Sequence, residues 1–189
     1  MKYLIIGLGN IGDEYANTRH NIGFIVADAL ANKLGITFKV GRLASVAQGR
    51  IKNKQVLLIK PSTYMNLSGK AVRYWMEHEN IPLENILVIA DDVDLDTGIL
   101  RMRSKGSGGS HNGLNHIIET LETTDWARLR FGIGSNYAKG YQIQYVLGQW
   151  SRDEVKLLTT RIEVAVEMIE SFVLAGVHRT MSDYNNKEI

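Results

Sequence analysis

Asn10, His20, Asn66, Asp91, His111 and Asn112 are the side chains of this 189-residue sequence whose types and surroundings could do chemistry. Each lies in a loop or just past a short apolar run, as a site above a sheet edge requires. A neutral imidazole near pH 7 can take a proton from water, and a carboxylate on its other nitrogen fixes the tautomer and stabilises the imidazolium. His20 with Asp91 would form such a pair. Asparagine amides can hold a carbonyl and stabilise the oxyanion formed when water attacks it, each donor contributing about 2 to 4 kcal/mol. Every one of these residues also has an ordinary reading: a histidine opening a helix caps or packs, asparagine is common in turns for backbone reasons, and Asp91 can cap or face solvent.

The elements that must position them begin with Tyr3 to Ile6, an apolar run of the kind a buried strand uses. Gly7, Gly9 and Gly12 then let the backbone leave that strand tightly, so the polar residues that follow sit at its carboxyl end, where open α/β sheets bind ligands. These glycines spell G-x-G-x-x-G, but the context of a dinucleotide site is missing. Asp13 to Arg19 show no helical period before Ile22, no carboxylate ends the next strand near Phe38 to Val40, and Asp28 falls inside a helix pattern.

Ile22, Ile25, Val26, Ala29, Leu30 and Leu34 follow a helical period that Gly35 stops. Strands are expected at Phe38 to Val40, Ser45 to Ile51, Gln55 to Lys60, Ile86 to Ala90, Ile99 to Arg103 and Arg128 to Gly134, with helices over 67–79 and 114–121. Ser151 and Glu154 form a capping box that starts a core helix over 151–175, ending near Gly176, and the tail from Asp183 is expected to fray. Residues 135–149 show no clear core pattern and read as a lid. The alternation of strands and helices predicts an α/β fold, a single three-layer domain whose central mixed, mostly parallel twisted sheet is flanked by helices.

The absence of cysteine excludes disulfides, thiolate zinc sites and a cysteine nucleophile, and fits a reducing compartment. No basic segment followed by a long apolar run opens the chain, and no run approaches the roughly 20 apolar residues of a membrane span, so a cytoplasmic protein is expected. Net charge is only +2, yet Arg101, Arg103, Lys105, Arg128 and Arg130 cluster in two short segments, which reads equally as a solvated face or an anion-binding edge. Asp92, Asp94 and Asp96 imitate the start of a calcium loop, but the glycine comes one residue late at Gly98, Val93 and Leu95 are apolar, and Arg103 stands where glutamate should. No metal and no cofactor are expected. Ser110 beside His111 invites a serine-hydrolase reading, which fails on Asn112 where a nucleophile elbow needs glycine.

Several of these segments together resemble the bacterial peptidyl-tRNA hydrolases. Gly7 to Asn10 with Gly12, Tyr15, and Thr18 to Asn21 with Gly23 and Phe24 match the family's opening; Thr63, Met65, Asn66, Ser68 and Gly69 match its second segment. Asp91, Asp92, Asp94 and Leu95 match a third, and Gly106 to Gly113 a fourth. Two positions depart: Ile11 stands where the family usually has proline, and Ser110 where it usually has glycine. The resemblance implies a monomeric esterase that cleaves the ester joining a peptide to the terminal ribose of tRNA. It implies His20 as general base, Asp91 as its orienting partner, and Asn10 as a discriminator of blocked from free aminoacyl groups. Tyr15, Tyr64, Met65, Asn66 and Asn112 would line the groove for peptide and terminal nucleotide, and Arg103 and Arg130, helped by Arg101 and Lys105, would hold tRNA phosphate. Relatives that serve RNA processing without hydrolysis supply the alternative reading, a binding protein.

Overall fold

The computed structural model describes residues 1–185. Its elements alternate: β1 (Lys2–Gly7), α1 (Ile22–Leu34), β2 (Lys39–Val40), β3 (Ala44–Ile51), β4 (Lys54–Pro61), α2 (Ser68–His78), β5 (Ile86–Asp92), β6 (Leu100–Arg103), α3 (Asn112–Leu121), β7 (Ala127–Gly132), α4 (Gln142–Val146), α5 (Arg152–Ala175) and α6 (Val177–Tyr184). One seven-stranded sheet runs β2-β3-β4-β1-β5-β7-β6. Its centre, β4-β1-β5-β7, is parallel, whereas β2, β3 and β6 add antiparallel edges.

Because side chains alternate across a strand, Leu4 and Ile6 point to one face of the sheet and Ile5 to the other. Leu4 and Ile6 join the core beneath α2 and α3 with Val72, Trp75 and Ile117, while Ile5 joins the core beneath α1 and α5 with Val26, Leu30, Ile169 and Phe172. The result is the three-layer α/β architecture expected from the alternating pattern.

The glycines of the opening turn serve helix packing. A Cβ on Gly23 would lie 2.4 Å from the Leu8 carbonyl oxygen, and one on Gly7 would meet the Gly23 carbonyl oxygen closer still. Bare backbone at both positions lets the start of α1 cross directly over the end of β1. Gly12 leads only into a 3-10 turn, Asp13–Tyr15, and α1 does not begin until Ile22, which is the reason the dinucleotide reading fails.

Two parts of the carboxyl-terminal half depart from the sequence expectations. The segment 135–149 contains the short helix α4, and Tyr145 and Val146 pack against the core. Beyond Gly176 the chain forms α6, and the frayed tail expected from Asp183 is instead ordered as far as Asn185; the rest of that tail lies outside the described residues. The buried Asn185 amide donates to the Met102 carbonyl at 2.8 Å and accepts from the Met102 N–H at 2.9 Å. It thereby satisfies backbone groups that edge strand β6 would otherwise leave open.

Candidate active site

Strands β1 and β5 are parallel neighbours, so Asn10, just past β1, and Asp91, near the end of β5, emerge at the same sheet edge. The chain between β1 and α1 then brings His20, in the 3-10 turn Arg19–Asn21, back over that edge. His20 Nδ1 lies 2.8 Å from Asp91 Oδ2, and His111 Nε2 lies 2.9 Å from Asp91 Oδ1. Asp91 is 5% exposed. Burial alone pushes its carboxyl up, but attraction and hydrogen bonds from His20 and His111 outweigh that and hold it far below the usual carboxylate range. Burial likewise lowers His20, and the Asp91 charge and hydrogen bond outweigh it, so this imidazole is a stronger base than an ordinary histidine. With Nδ1 engaged by Asp91, the ring nitrogen left to accept a proton is Nε2.

A cleft of about 360 Å³ opens over this pair. Asn10, His20, Asp91 and Asn112 line it, as does the glycine-rich loop 107–111, and Gln142, Ile143, Val146 and Leu147 of the 135–149 segment complete the lining. Of the other residues expected in the groove, Tyr15, Tyr64, Met65 and Asn66 lie outside this lining. Tyr64 is 80% exposed in the loop after β4, Asn66 is exposed beside it, and Met65 packs into the core with Leu8 and Leu114.

Asn21 is a site residue that sequence reasoning missed. Nearly fully buried, its side chain accepts from the Asn10 N–H and donates to the Asn10 carbonyl, both at 2.8 Å, which fixes the backbone that presents Asn10. The signal was its place directly after His20. Arg19 is another: its guanidinium forks onto Glu154 at 2.8 and 3.3 Å, donates to the Tyr145 carbonyl at 3.0 Å, and lies 4.2 Å above the Tyr145 ring. Together with the Arg19 N–H donating to the Gly148 carbonyl, it ties the end of the 135–149 segment to the residue preceding His20. No sequence signal marked these contacts, because the 135–149 segment carries no periodic pattern.

Ser110 Oγ accepts from Gln142 Nε2 at 2.9 Å across the mouth of the cleft. Its partner is thus an amide and not an imidazole, which removes the base that a serine nucleophile needs. His20, Asp91 and His111 also bring three potential metal-ligating atoms within 4.8 Å of one another. The contacts between these groups are hydrogen bonds of 2.8 and 2.9 Å.

The basic residues divide. Arg128 is buried, stacks 3.7 Å over Trp126, and donates to the carbonyls of Thr124 and Trp126 at 2.7 and 2.9 Å; it is part of the framework. Arg101 faces Arg130 across the β6–β7 pair, with Arg103 two residues on and Lys105 exposed beyond the strand. Arg130 reaches Asp92 at 3.4 Å and the Ser107 carbonyl at 3.0 Å. Among the described residues no carboxylate pairs with Arg101, Arg103 or Lys105. Partial burial, followed by repulsion from Arg101 and Arg130, lowers the Arg103 pKa, the mark of cations crowded together.

Residues 4–189 match the family model described as peptidyl-tRNA hydrolase. The chain is 56% identical to the peptidyl-tRNA hydrolase of Phocaeicola vulgatus over 99% of its own length and all of that protein, and 54% identical to that of Cytophaga hutchinsonii over the full length of both. Among solved structures, peptidyl-tRNA hydrolase from Acinetobacter baumannii superposes with a TM-score of 0.93 at 36% identity, covering 98% of this chain and 95% of that one. With matches of this extent from both sequence and fold, the chain belongs to the peptidyl-tRNA hydrolase family.

Proposed function

We propose that the protein hydrolyses the ester between a peptide, or another N-blocked aminoacyl group, and the 3′-terminal ribose of tRNA, so recycling peptidyl-tRNA, and that His20 activates the attacking water. The observation that carries this reading is the His20–Asp91 pair at the base of the cleft, with Nε2 as the available base. Water oxygen adds to the ester carbonyl carbon as its proton passes to His20 Nε2, and the imidazolium is held by Asp91. The amides of Asn10 and Asn112 lie on the cleft wall, where they stabilise the oxyanion and select acyl groups with a blocked amine. Collapse of the tetrahedral intermediate expels the ribose oxygen, which takes the proton back from His20 and leaves free peptide and tRNA. This sequence of steps draws on no cofactor.

Tyr15, Tyr64, Met65 and Asn66 extend the path beyond the cleft; the exposed Tyr64 ring offers a stacking surface for a terminal base, a contact worth about 1–3 kcal/mol at such sites. Arg103, Arg130, Arg101 and Lys105 form the phosphate-binding edge, since planar guanidinium groups donate two hydrogen bonds at once to an oxyanion. Residues 135–149 act as the lid. No described helix is long and apolar enough to cross a membrane, and a monomer working in the cytoplasm suits a tRNA substrate. Incubating the purified protein with N-blocked aminoacyl-tRNA and counting released acyl groups tests the activity: multiple turnovers are expected, and tight binding without release would make the protein an RNA-binding relative instead.

A further inference from the structure

His111 has no part in the steps above, yet its ring is held as firmly as that of His20. It is the N-cap residue of α3, and its Nδ1 accepts hydrogen bonds from the N–H groups of Gly113 at 3.1 Å and Leu114 at 3.2 Å. Its own backbone is pinned on both sides, the N–H to the Gly108 carbonyl and the carbonyl to the Asn115 N–H, each at 3.0 Å. Gly113 makes room for this arrangement: a Cβ there would lie 3.0 Å from His111 Cε1 and 2.7 Å from Met65 Sδ.

A nitrogen that accepts from two backbone amides must present its lone pair to them, which places the His111 proton on Nε2. That proton faces Asp91 Oδ1. Protonating Nδ1 as well would break both capping bonds and place a cation at the positive end of α3. The two imidazoles on Asp91 are therefore unequal: His20 has Nε2 free to take a proton, whereas His111 has Nδ1 committed to two backbone amides and Nε2 to Asp91. A carboxylate that already receives one hydrogen bond attracts a second proton donor less strongly, so His111 moderates how far Asp91 strengthens His20 as a base.

We propose that His111 is a positioning residue for the hydrolytic reaction, an Nε2–H imidazole that caps α3 and, through Asp91, sets how readily His20 takes a proton. The tuning half of this proposal rests on His20 being the base; the tautomer half does not. Besides Asp91 and the two imidazoles, the ionisable groups around the cleft among the described residues are Asp92 at the end of β5, Asp94 just after it and Arg130 on β7, of which Asp92 and Arg130 are paired; the residues of 135–149 lining it carry no charge.

Two measurements on the full chain test the proposal. Long-range 1H–15N imidazole spectra of the wild-type protein should show the His111 proton on Nε2. A His111 proton on Nδ1 would overturn the assignment. His111→Asn supplies an oxygen to cap the same amides but no donor placed as Nε2 is. The acid limb of its kcat/KM profile should move up by roughly half to one pH unit, so that its activity deficit is larger near pH 6 than near pH 8. An unmoved limb would reduce His111 to a helix cap. Undiminished turnover in His20→Ala would remove the base reading and leave the His111 spectrum unchanged, so the two failures are distinguishable.

Discussion

The His20–Asp91–His111 centre and the Arg101–Arg103–Lys105–Arg130 edge are both clusters of charged or chargeable groups, and they are built on opposite plans. At the centre the only anion is buried and each of its oxygens accepts from an imidazole at 2.8 or 2.9 Å. At the edge like charges face each other across an antiparallel pair, and among the described residues Arg130 alone has a carboxylate, at 3.4 Å. The first arrangement is complete without a ligand, as a centre that must present one proton acceptor in one orientation should be. The second holds cations in mutual repulsion, which an incoming anion would relieve. On the proposed reading, chemistry and recognition fall to different parts of the sheet edge, and substitutions in the two regions should fail in different ways.

The largest loss is expected at the centre. His20→Ala removes the base and should cost on the order of 10²-fold or more in kcat, with circular dichroism and substrate binding retained; turnover near the wild-type level would break the assignment. Asp91→Asn should cost less than His20→Ala. Removing the charge that raises His20 should move the acid limb of kcat/KM down, because the base then stays unprotonated to lower pH. With His111 donating to the amide oxygen, the new NH2 group faces His20 Nδ1 and drives its proton to Nε2, so the loss should persist on the pH plateau. An unmoved limb would mean that the two residues are not coupled.

At the edge the effect should be smaller and depend on salt. Arg103→Ala should raise KM for full-length substrate and reduce the slope of log affinity against log salt by about one for each phosphate it ceases to neutralise; an unchanged slope would return Arg103 to the solvent-facing surface. The smallest effect is expected at Ser110→Ala, which removes one exposed hydrogen bond across the cleft mouth, a change of about 1 kcal/mol at most. It should keep most activity and accumulate no acyl-enzyme, and an acyl group trapped on Ser110 in the wild type would replace the water mechanism with covalent catalysis.

The two regions were not equally legible in the sequence. The buried runs of β1 and β5 with polar residues directly after them announced a site at their carboxyl ends, because strands covered on both faces must be apolar and function is displaced to the loops. The capping box at Ser151 and Glu154 fixed the start of α5 for a similarly local reason. What stayed hidden depends on contacts between distant segments. Arg128 and Arg130 share a strand and differ by two residues, yet one is buried against Trp126 and the other lines the cleft; only the packing of the 104–126 segment separates them. The capping role of His111 needs the path of the glycine-rich loop, and the hold of Asn185 on Met102 joins residues 83 apart in the chain. Helix α6 did leave a trace in Val177, Met181 and Tyr184, spaced by four and three, but the polar residues between them masked it.

The division between the centre and the edge is tested most directly by giving Arg103→Ala/Arg130→Ala two substrates, full-length N-blocked aminoacyl-tRNA and a minimal N-blocked aminoacyl-nucleotide that lacks the tRNA body. The arrangement of charges predicts a raised KM on the first and nearly wild-type kcat/KM on the second. Equal losses on both substrates would contradict it and place these arginines in the chemistry or in the fold.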